Sequence, residues 1–153
     1  MDVGSHYLDL FRYLEGDFAR IACMESSAVF GQEVEESVFV TVAFKSGAHG
    51  VLGVSFAVPH AGNVLEVYGT EGTLLLGKDM VVLTADGEET RPAVFPDYYS
   101  GLLAHFCHCV ETGGKPMAGG EDGLRNLEAI ETAYRSGREG RVLKVPDREI
   151  SDF

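Results

Sequence analysis

Two neighbouring segments in the first half of this chain alternate apolar residues with other residues, and this alternation constrains the fold more than any other feature. The segments are ESVFVTVAFKSG and HGVLGVSFAVP. Four apolar residues share one side of each: Val38, Val40, Val42 and Phe44, then Leu52, Val54, Phe56 and Val58. A period of two is typical of a strand with one buried face. The turn KSGAHG between them predicts a long hairpin.

The rest of the chain adds helices and shorter strands around this hairpin. Apolar residues recur with helical spacing from Val3 to Leu14, and Gly16 is a C-terminal helix signal. The pattern predicts further strands at about 20–30, 63–69, 73–77 and 80–85, helices at about 98–111 and 121–138, and a last strand in RVLKV. This order predicts an α+β fold, with an open, largely antiparallel mixed sheet and helices packed on one face. At 153 residues the chain is expected to form one domain, 1–153.

The second side of the hairpin carries small, weakly polar residues. These are Thr41, Ala43, Gly53, Ser55 and Ala57. Helices are expected to cover the other face, so this side would remain a broad, flat surface that water does not favour. We therefore expect self-association through the open sheet face.

Charge and cysteine content exclude several classes of protein. The chain has 12 Lys and Arg against 24 Asp and Glu, a net charge of −12, and no basic cluster, so a nucleic-acid partner is not expected. It has no apolar run of about 18 residues, so no membrane span is expected. Three cysteines, two of them in C-H-C, do not resemble a secreted disulfide framework. A cytoplasmic location is predicted.

The first predicted helix carries a polar stripe made of Asp2, His6, Asp9 and Tyr13. Steps of four, three and four residues place these side chains on one side of a helix. Imidazole exchanges a proton near neutral pH, and a carboxylate one turn away can orient the ring, which makes the stripe a candidate acid/base site. From the spacing alone a structural explanation stays open: Asp2 as an N-cap, Asp9 as a partner of Arg12, and His6 as an ordinary imidazole.

Three sequence blocks together resemble a known family. They are similar to the C-terminal domain of the glucose–fructose oxidoreductase, inositol dehydrogenase and rhizopine-catabolism (Gfo/Idh/MocA) family. In chain order the blocks are DVGSHYLDLFRYLEG, which precedes the two long strands, then VYGTEGTLLL, then GGKPMAGGEDGLRNLEAIETAYRSGREGRVLKV. The resemblance covers Asp2 to Val145. It implies a fold like the C-terminal domain of glyceraldehyde-3-phosphate dehydrogenase. It also implies a role in substrate binding and oligomerisation beside a Rossmann domain, in NAD(P)-dependent dehydrogenases of sugars, inositols and other polyols.

The resemblance also implies roles for individual residues. His6 matches the family's acid/base for the substrate hydroxyl, and Asp2 matches the residue that binds substrate or tunes that histidine. Asp9, Tyr99 and His60 are expected to contact the sugar or polyol substrate. For Tyr99 the alternative is packing at a helix start, and for His60 it is solvation in a loop.

The chain departs from the family pattern in its cofactor elements. No G-x-G-x-x-G follows a strand and opens a helix, and no Glu-Lys-Pro is present; Lys115 in GKP follows a helix and is not assigned the family lysine's role. We therefore expect no Rossmann domain in residues 1–153, no NAD or NADP bound by this chain alone, and no turnover without a separate Rossmann partner. Met1 would then lie at the middle of a longer protein, of which this chain is a remnant, a separately encoded half or an excised piece. The alternative is a non-enzymatic dimerisation or scaffolding module.

The stretch HFCHC at 105–109 is a second chemical candidate. On a helix, His105, His108 and Cys109 fall at i, i+3 and i+4, where three ligands could meet a zinc ion. Apolar neighbours such as Leu102, Phe106 and Val110 favour a packing helix instead, and the matching family helix is a packing element. We predict no metal site; a zinc-dependent hydrolase is a third hypothesis, and it rests on this segment alone.

Overall fold

A computed structural model describes residues 2–58, 65–92 and 97–147 of the chain, without the side chains of Asp2 and Tyr98. The elements in chain order are α1 (Asp2–Glu15), β1 (Phe18–Ser26), β2 (Ser37–Phe44), β3 (His49–Ser55), β4 (Leu65–Tyr68), β5 (Gly72–Leu76), β6 (Asp79–Thr84), β7 (Gly87–Pro92), α2 (Tyr98–Thr112), α3 (Gly120–Glu139) and β8 (Leu143–Lys144). The predicted α+β class is confirmed. The elements divide into two compact units, one with α1, β1, β2, β3, α3 and β8, the other with β4 to β7 and α2.

The first unit is built on the predicted hairpin. Its sheet has the order β3-β2-β1-β8, and every described pair in it is antiparallel. Val38, Val40 and Val42 are buried, as their spacing predicted, and Leu52 is buried opposite Val40. Phe56 and Val58 are exposed instead, because β3 ends at Ser55 and the alternation no longer has a sheet to act on.

Helices cover one face of this sheet. Helix α3 packs on β1 and β8, and α1 packs on β3 and on α3. The core between them includes Leu8, Phe18, Ile21, Val40 and Ala133. The buried seam of α1 consists of Gly4, Leu8 and the half-buried Phe11, whereas Val3 and Leu14 of the predicted stripe are exposed. The helix stops at Gly16, which has a φ of 92° and donates its N–H to the Arg12 carbonyl oxygen.

The uncovered face of the sheet is more apolar than its sequence suggested. Met24 of β1 lies directly opposite Phe39 of β2, and Val51 of β3 lies opposite Thr41. Met24, Phe39 and Val51 point away from the core and are 60 to 76% exposed. We call these three residues the outer face.

The second unit contains a four-stranded antiparallel meander in the order β4-β5-β6-β7. The three strands predicted between 63 and 85 are confirmed. Strand β7 was not predicted; its residues, GEETRP, are all exposed and are held by pairing with β6. The strands thus form two sheets where the sequence predicted one. The alternation of apolar residues within a strand does not determine which other strands lie next to it.

Helix α2 in this unit begins after Asp97, whose carboxylate accepts the Tyr99 backbone N–H at 3.2 Å. It ends at Gly113 with a φ of 68°. One side of it is apolar and exposed, at Leu102, Leu103, Phe106 and Val110. Within the described ranges, no helix combines the length and apolarity that crossing a membrane requires.

Candidate active site

Helix α1 carries the predicted acid/base residue on its solvent side. Asp2 is its first residue, and the Asp2 side chain lies outside the described part of the chain. The His6 side chain is exposed, and Leu8, which faces the core, is completely buried. The helix therefore presents an imidazole to solvent from a backbone that the core holds in place.

Two contacts fix the position of α1 beyond apolar packing. The Asn126 side chain on α3 donates from Nδ2 to the carbonyl oxygen of Ser5 at 3.1 Å, one residue before His6. The Phe11 ring lies so close to Gly50 on β3 that a Cβ there would come within 2.8 Å of Phe11 Cε2. The backbone that carries His6 is therefore held in place by these contacts.

Asp9 lies beside Arg12 rather than alone. Its Oδ1 is 3.7 Å from Arg12 Nη1, as the structural alternative for Asp9 proposed. The Arg12 side chain is only 11% exposed, and it also donates from Nε to Asp17 Oδ1 at 3.3 Å and from Nη1 to the Asp122 carbonyl oxygen at 3.1 Å. The guanidinium therefore joins the end of α1 to the start of α3. A substrate contact of Asp9 stays a prediction.

A shallow cleft of mixed charge lies next to this guanidinium. Lys45 Nζ is 2.8 Å from Asp147 Oδ1, and Arg125 Nη1 is 3.3 Å from the buried carboxylate of Glu128. The cleft is lined by Arg12, Asp17, Lys45, Arg125, Glu128 and Asp147, together with Phe18, Val145 and Pro146. Positive and negative side chains occur in equal numbers in this cleft. Because they form ion pairs with one another, we assign the cleft a structural role.

The other two predicted substrate residues belong to the second unit or lie outside the described residues. Tyr99 is in the first turn of α2 and is 77% exposed, so it does not pack at the helix start. His60 falls within 59–64, outside the described residues. Of the predicted site residues with described side chains, His6 and Asp9 share one helix, and Tyr99 lies on another.

The buried side of the first sheet contains a thiol that the sequence did not single out. Burial, with the charges of Glu25 and Glu35, raises the pKa of Cys23 to about 11. Nearby, the Tyr134 hydroxyl donates to Glu35 Oε1 at 2.6 Å; burial first, and this hydrogen bond second, raise the pKa of Tyr134. Both groups stay protonated at neutral pH, so neither is a ready base.

The HFCHC segment forms part of α2 without a metal-binding arrangement. Cys109 Sγ is 3.6 Å from His105 Nε2 and 3.6 Å from the Lys115 carbonyl oxygen, while Cys107 is exposed. In the described part of the chain, no three His, Cys, Asp or Glu side chains are grouped so that they could hold a metal ion.

No local sequence pattern identifies the residues that hold this site together. Asn126 lies 121 positions from Ser5, and Arg12 lies 110 positions from Asp122. Such pairings follow from the packing of α1 on α3. In the sequence, Asn126 and Arg12 look like ordinary polar residues on exposed helix faces.

Comparisons with known proteins identify relatives of the chain. The family model described as the GFO/IDH/MocA C-terminal domain matches residues 1–75. D-apiose dehydrogenase of Paraburkholderia graminis is 31% identical over 97% of this chain and 45% of that protein. The chain spans about half the length of the curated relatives it matches.

Solved structures have the same fold. The aldose-aldose oxidoreductase of Caulobacter crescentus, solved with glycerol, is 32% identical, with a TM-score of 0.81 over 92% of this chain and 45% of that one. Levoglucosan dehydrogenase in complex with NADH and levoglucosan reaches a TM-score of 0.85 over 96% of this chain and 50% of its own, at 20% identity. The second likeness speaks for the fold alone.

Proposed function

This chain carries the C-terminal domain of the GFO/IDH/MocA family, and we propose that it is the substrate-binding and oligomerisation domain of an NAD(P)-dependent dehydrogenase of sugars or other polyols. The observation that carries the proposal is His6, an exposed imidazole on a helix whose opposite side packs on the core through the fully buried Leu8. A relative named for a sugar dehydrogenase, aligned over nearly the whole chain, supports the substrate class.

His6 acts on the substrate hydroxyl in this proposal. The imidazole accepts the hydroxyl proton as the carbinol carbon is oxidised to a carbonyl, and in the reverse direction it returns that proton. Asp2, one helical turn earlier, binds substrate or tunes His6, and Asp9 and Tyr99 are substrate contacts. Asn126 and Phe11 support the reaction by keeping the helix fixed.

The glycine turn between β4 and β5 differs from a dinucleotide-binding turn. Gly69 and Gly72 lie in a turn between β4 and β5, where the Gly69 N–H donates to the Gly72 carbonyl oxygen. A phosphate-binding glycine turn leads from a strand into a helix, whose N-terminus then faces the phosphates. We therefore assign nucleotide binding to another polypeptide segment, a Rossmann domain, and expect this chain to be inactive without it.

The outer face is the proposed surface for self-association. Met24, Phe39 and Val51 expose apolar area on a flat antiparallel sheet, which is a poor surface to leave in water. A homo-oligomer that pairs this face with itself would remove that area from water.

Location in the cytoplasm is also part of the proposal. All three cysteines, Cys23, Cys107 and Cys109, are free thiols. Free thiols, one of them exposed, agree with a reducing compartment.

A non-enzymatic dimerisation or scaffolding module is the second candidate. The chain spans about half the length of its relatives, and the outer face alone would serve assembly. The two candidates differ in His6: a scaffold does not require it, whereas a substrate-binding domain does.

Ligand titration of the purified chain tests the substrate role without requiring turnover. D-apiose, glycerol and myo-inositol are added while the imidazole signals are followed by NMR. We expect at least one of them to shift the His6 ring signals in a saturable way, and His6→Asn to abolish that binding. The matched control is His49→Asn, which removes another exposed histidine. If none of the three ligands shifts the His6 signals, or if His6→Asn and His49→Asn bind the ligand equally well, the scaffolding module is the favoured candidate.

A further inference from the structure

A β-bulge near the start of β1 turns Arg20 to the uncovered side of the first sheet. Phe18 and Arg20 lie opposite consecutive residues of β2, so Ala19 is an extra residue on β1. Phe18 is buried in the core, and strict alternation would place Arg20 on the same side. Instead Ile21 is completely buried and Arg20 is exposed. Bulges re-aim side chains in this way, often next to a functional site.

Strand β8 carries a second cation at the same position. Lys144 lies directly opposite Arg20 and is exposed, whereas its neighbour Leu143 is buried on the helix-covered side. The Val145 N–H donates to the carbonyl oxygen of the bulge residue, Ala19, at 3.1 Å, which fixes this pairing. Directly opposite residues have Cβ atoms about 4.5 to 5.5 Å apart, so the two cations can reach the same ligand. We call Arg20 and Lys144 the basic pair.

The basic pair has no acidic counterpart on its side of the sheet. Like charges directly opposite each other destabilise a sheet, and a carboxylate beside them would relieve the repulsion. In the described strands, the pairing register places on this side Arg20, Ala22, Met24, Ser26, Ser37, Phe39, Thr41, Ala43, His49, Val51, Gly53, Ser55 and Lys144. None of these residues is Asp or Glu, although the chain has 24 acidic residues against 12 basic ones.

The acidic residues nearest to the pair along the chain bind other cations. Asp17 Oδ1 is 3.2 Å from Arg12 Nη2, and Asp147 Oδ1 is 2.8 Å from Lys45 Nζ. Neither side chain of the basic pair forms an ion pair or a hydrogen bond with a residue in the described ranges. The described part of the chain therefore leaves two adjacent, exposed positive charges without compensation.

We propose that the basic pair binds a phosphate group, either as free phosphate or as the phosphate ester of a small molecule. A guanidinium donates two parallel N–H groups to two phosphate oxygens, and an ammonium group adds a compact positive charge. Two cations match the charge of about −1.5 to −2 that a phosphate monoester carries at neutral pH. A carboxylate has a single negative charge and would leave one of the two cations unmatched.

This site is separate from the acid/base helix and from the outer face. Helix α1 packs on the opposite, covered side of the sheet. Met24 is four residues from Arg20 on β1, about 13 Å at a rise of about 3.3 Å per residue. His49, the other titratable side chain on this side, lies two strands from Arg20, about 10 Å away. Phosphate binding therefore neither requires nor excludes the substrate role proposed for His6.

NMR titration of the full chain with sodium phosphate at constant ionic strength tests the inference. We expect saturable shifts of the Arg20 Nε–H signal and the Lys144 amide signal. Arg20→Gln and Lys144→Met should each raise the dissociation constant roughly fivefold or more, because each removes a charge-assisted hydrogen bond. Arg20→Lys keeps the charge and should bind more tightly than Arg20→Gln. The matched control is Arg138→Gln, which removes an exposed arginine on α3 and should change the constant less than twofold.

Further ligands identify the source of the phosphate group. Glucose 6-phosphate that binds more tightly than inorganic phosphate, with glucose leaving both signals unmoved, makes a phosphate ester the ligand. Inorganic phosphate that binds at least as tightly makes the free ion the ligand. If acetate or chloride shifts the two signals as strongly as phosphate, the pair attracts anions in general and the inference is wrong. Shifts that do not saturate, or an equal loss in Arg138→Gln, also contradict it. Circular dichroism confirms that each variant is folded.

Discussion

The hydroxyl of Ser136 takes the place of a missing strand beside Cys23. It accepts the Cys23 backbone N–H at 3.0 Å and donates to the Arg141 carbonyl oxygen at 2.7 Å. Strand β8 pairs with β1 only at Lys144 and Leu143, so on this side of β1 the Cys23 N–H has no strand residue opposite it, whereas Val40 of β2 lies opposite Cys23 on the other side. Ser136 is 1% exposed, and water is not available as a substitute.

Replacing Ser136 by alanine leaves the buried Cys23 N–H and the part-buried Arg141 carbonyl oxygen without this partner. We expect Ser136→Ala to lower the free energy of unfolding by about 1 to 3 kcal/mol, measured by urea denaturation. Ser46→Ala is the control, because Ser46 Oγ bonds to Glu15 on the exposed surface. Equal losses in the two variants would contradict the role given to Ser136.

Arg12 and Arg91 allow a comparison of a buried and an exposed guanidinium. Each donates to a carboxylate, but the Arg12 side chain is 11% exposed and the Arg91 side chain is 60% exposed. We expect Arg12→Met to lower the free energy of unfolding by about 2 kcal/mol. We expect Arg91→Met to leave it essentially unchanged, because solvent screens this exposed ion pair. Chemical denaturation of both variants measures the two changes in the free energy of unfolding. A small effect of Arg12→Met would mean that water replaces the guanidinium as the partner of Asp17 and Asp122.

Gly50 is required by the position of the Phe11 ring. A Cβ at residue 50 would lie 2.8 Å from Phe11 Cε2 and 3.0 Å from Val42 Cγ2. We expect Gly50→Ala to destabilise the chain by about 1 to 3 kcal/mol, since ring and strand must move apart. Gly123→Ala, with open space around it on α3, should instead stabilise by up to about 1 kcal/mol. Thermal unfolding of the two variants shows whether each substitution lowers or raises the stability.

The Cys23 thiol makes stability depend on alkaline pH. Burial and the charges of Glu25 and Glu35 raise its pKa from an ordinary 9.0 to about 11. In that interval the folded chain holds a proton that the unfolded chain has lost. The stabilisation is therefore complete below pH 9 and decreases as the pH rises through about 11.

Urea denaturation at about pH 8 and about pH 10.5 measures this slope. Tyr134, whose pKa is also raised, adds a loss of the same sign at the upper end. Cys23→Ala changes the free energy of unfolding by the same amount at both pH values and removes the titration of the thiol. In this variant the free energy of unfolding should therefore fall less between the two pH values than in the wild type. An unchanged slope would mean that Cys23 does not titrate as described.

Local patterns in the sequence predicted most elements of the fold. The alternation at Val38, Val40 and Val42 follows from burial of one side of a strand, and it holds wherever the strand stays in a sheet. Strand β7 was not predicted, because its exposed residues have no apolar period and only the pairing of Arg91 with Met80 and Glu89 with Val82 makes it a strand.

The candidate site was predictable only in part, for a related reason. His6 lies on a helix as its spacing predicted, and its exposure is compatible with proton exchange. The contacts of Arg12 with Asp122 and of Asn126 with Ser5 depend on how two distant helices pack, which no local pattern encodes. Glu36 likewise appeared as one acidic residue among several, although its carboxylate accepts two backbone N–H groups of the loop that precedes it.

Strand β7 also bears on how this chain behaves when it is destabilised. It is the border of its sheet, and an incoming strand would meet the charges of Glu88, Glu89 and Arg91 and a proline, Pro92, that has no N–H to donate. Amyloid growth by strand addition is therefore disfavoured at this border.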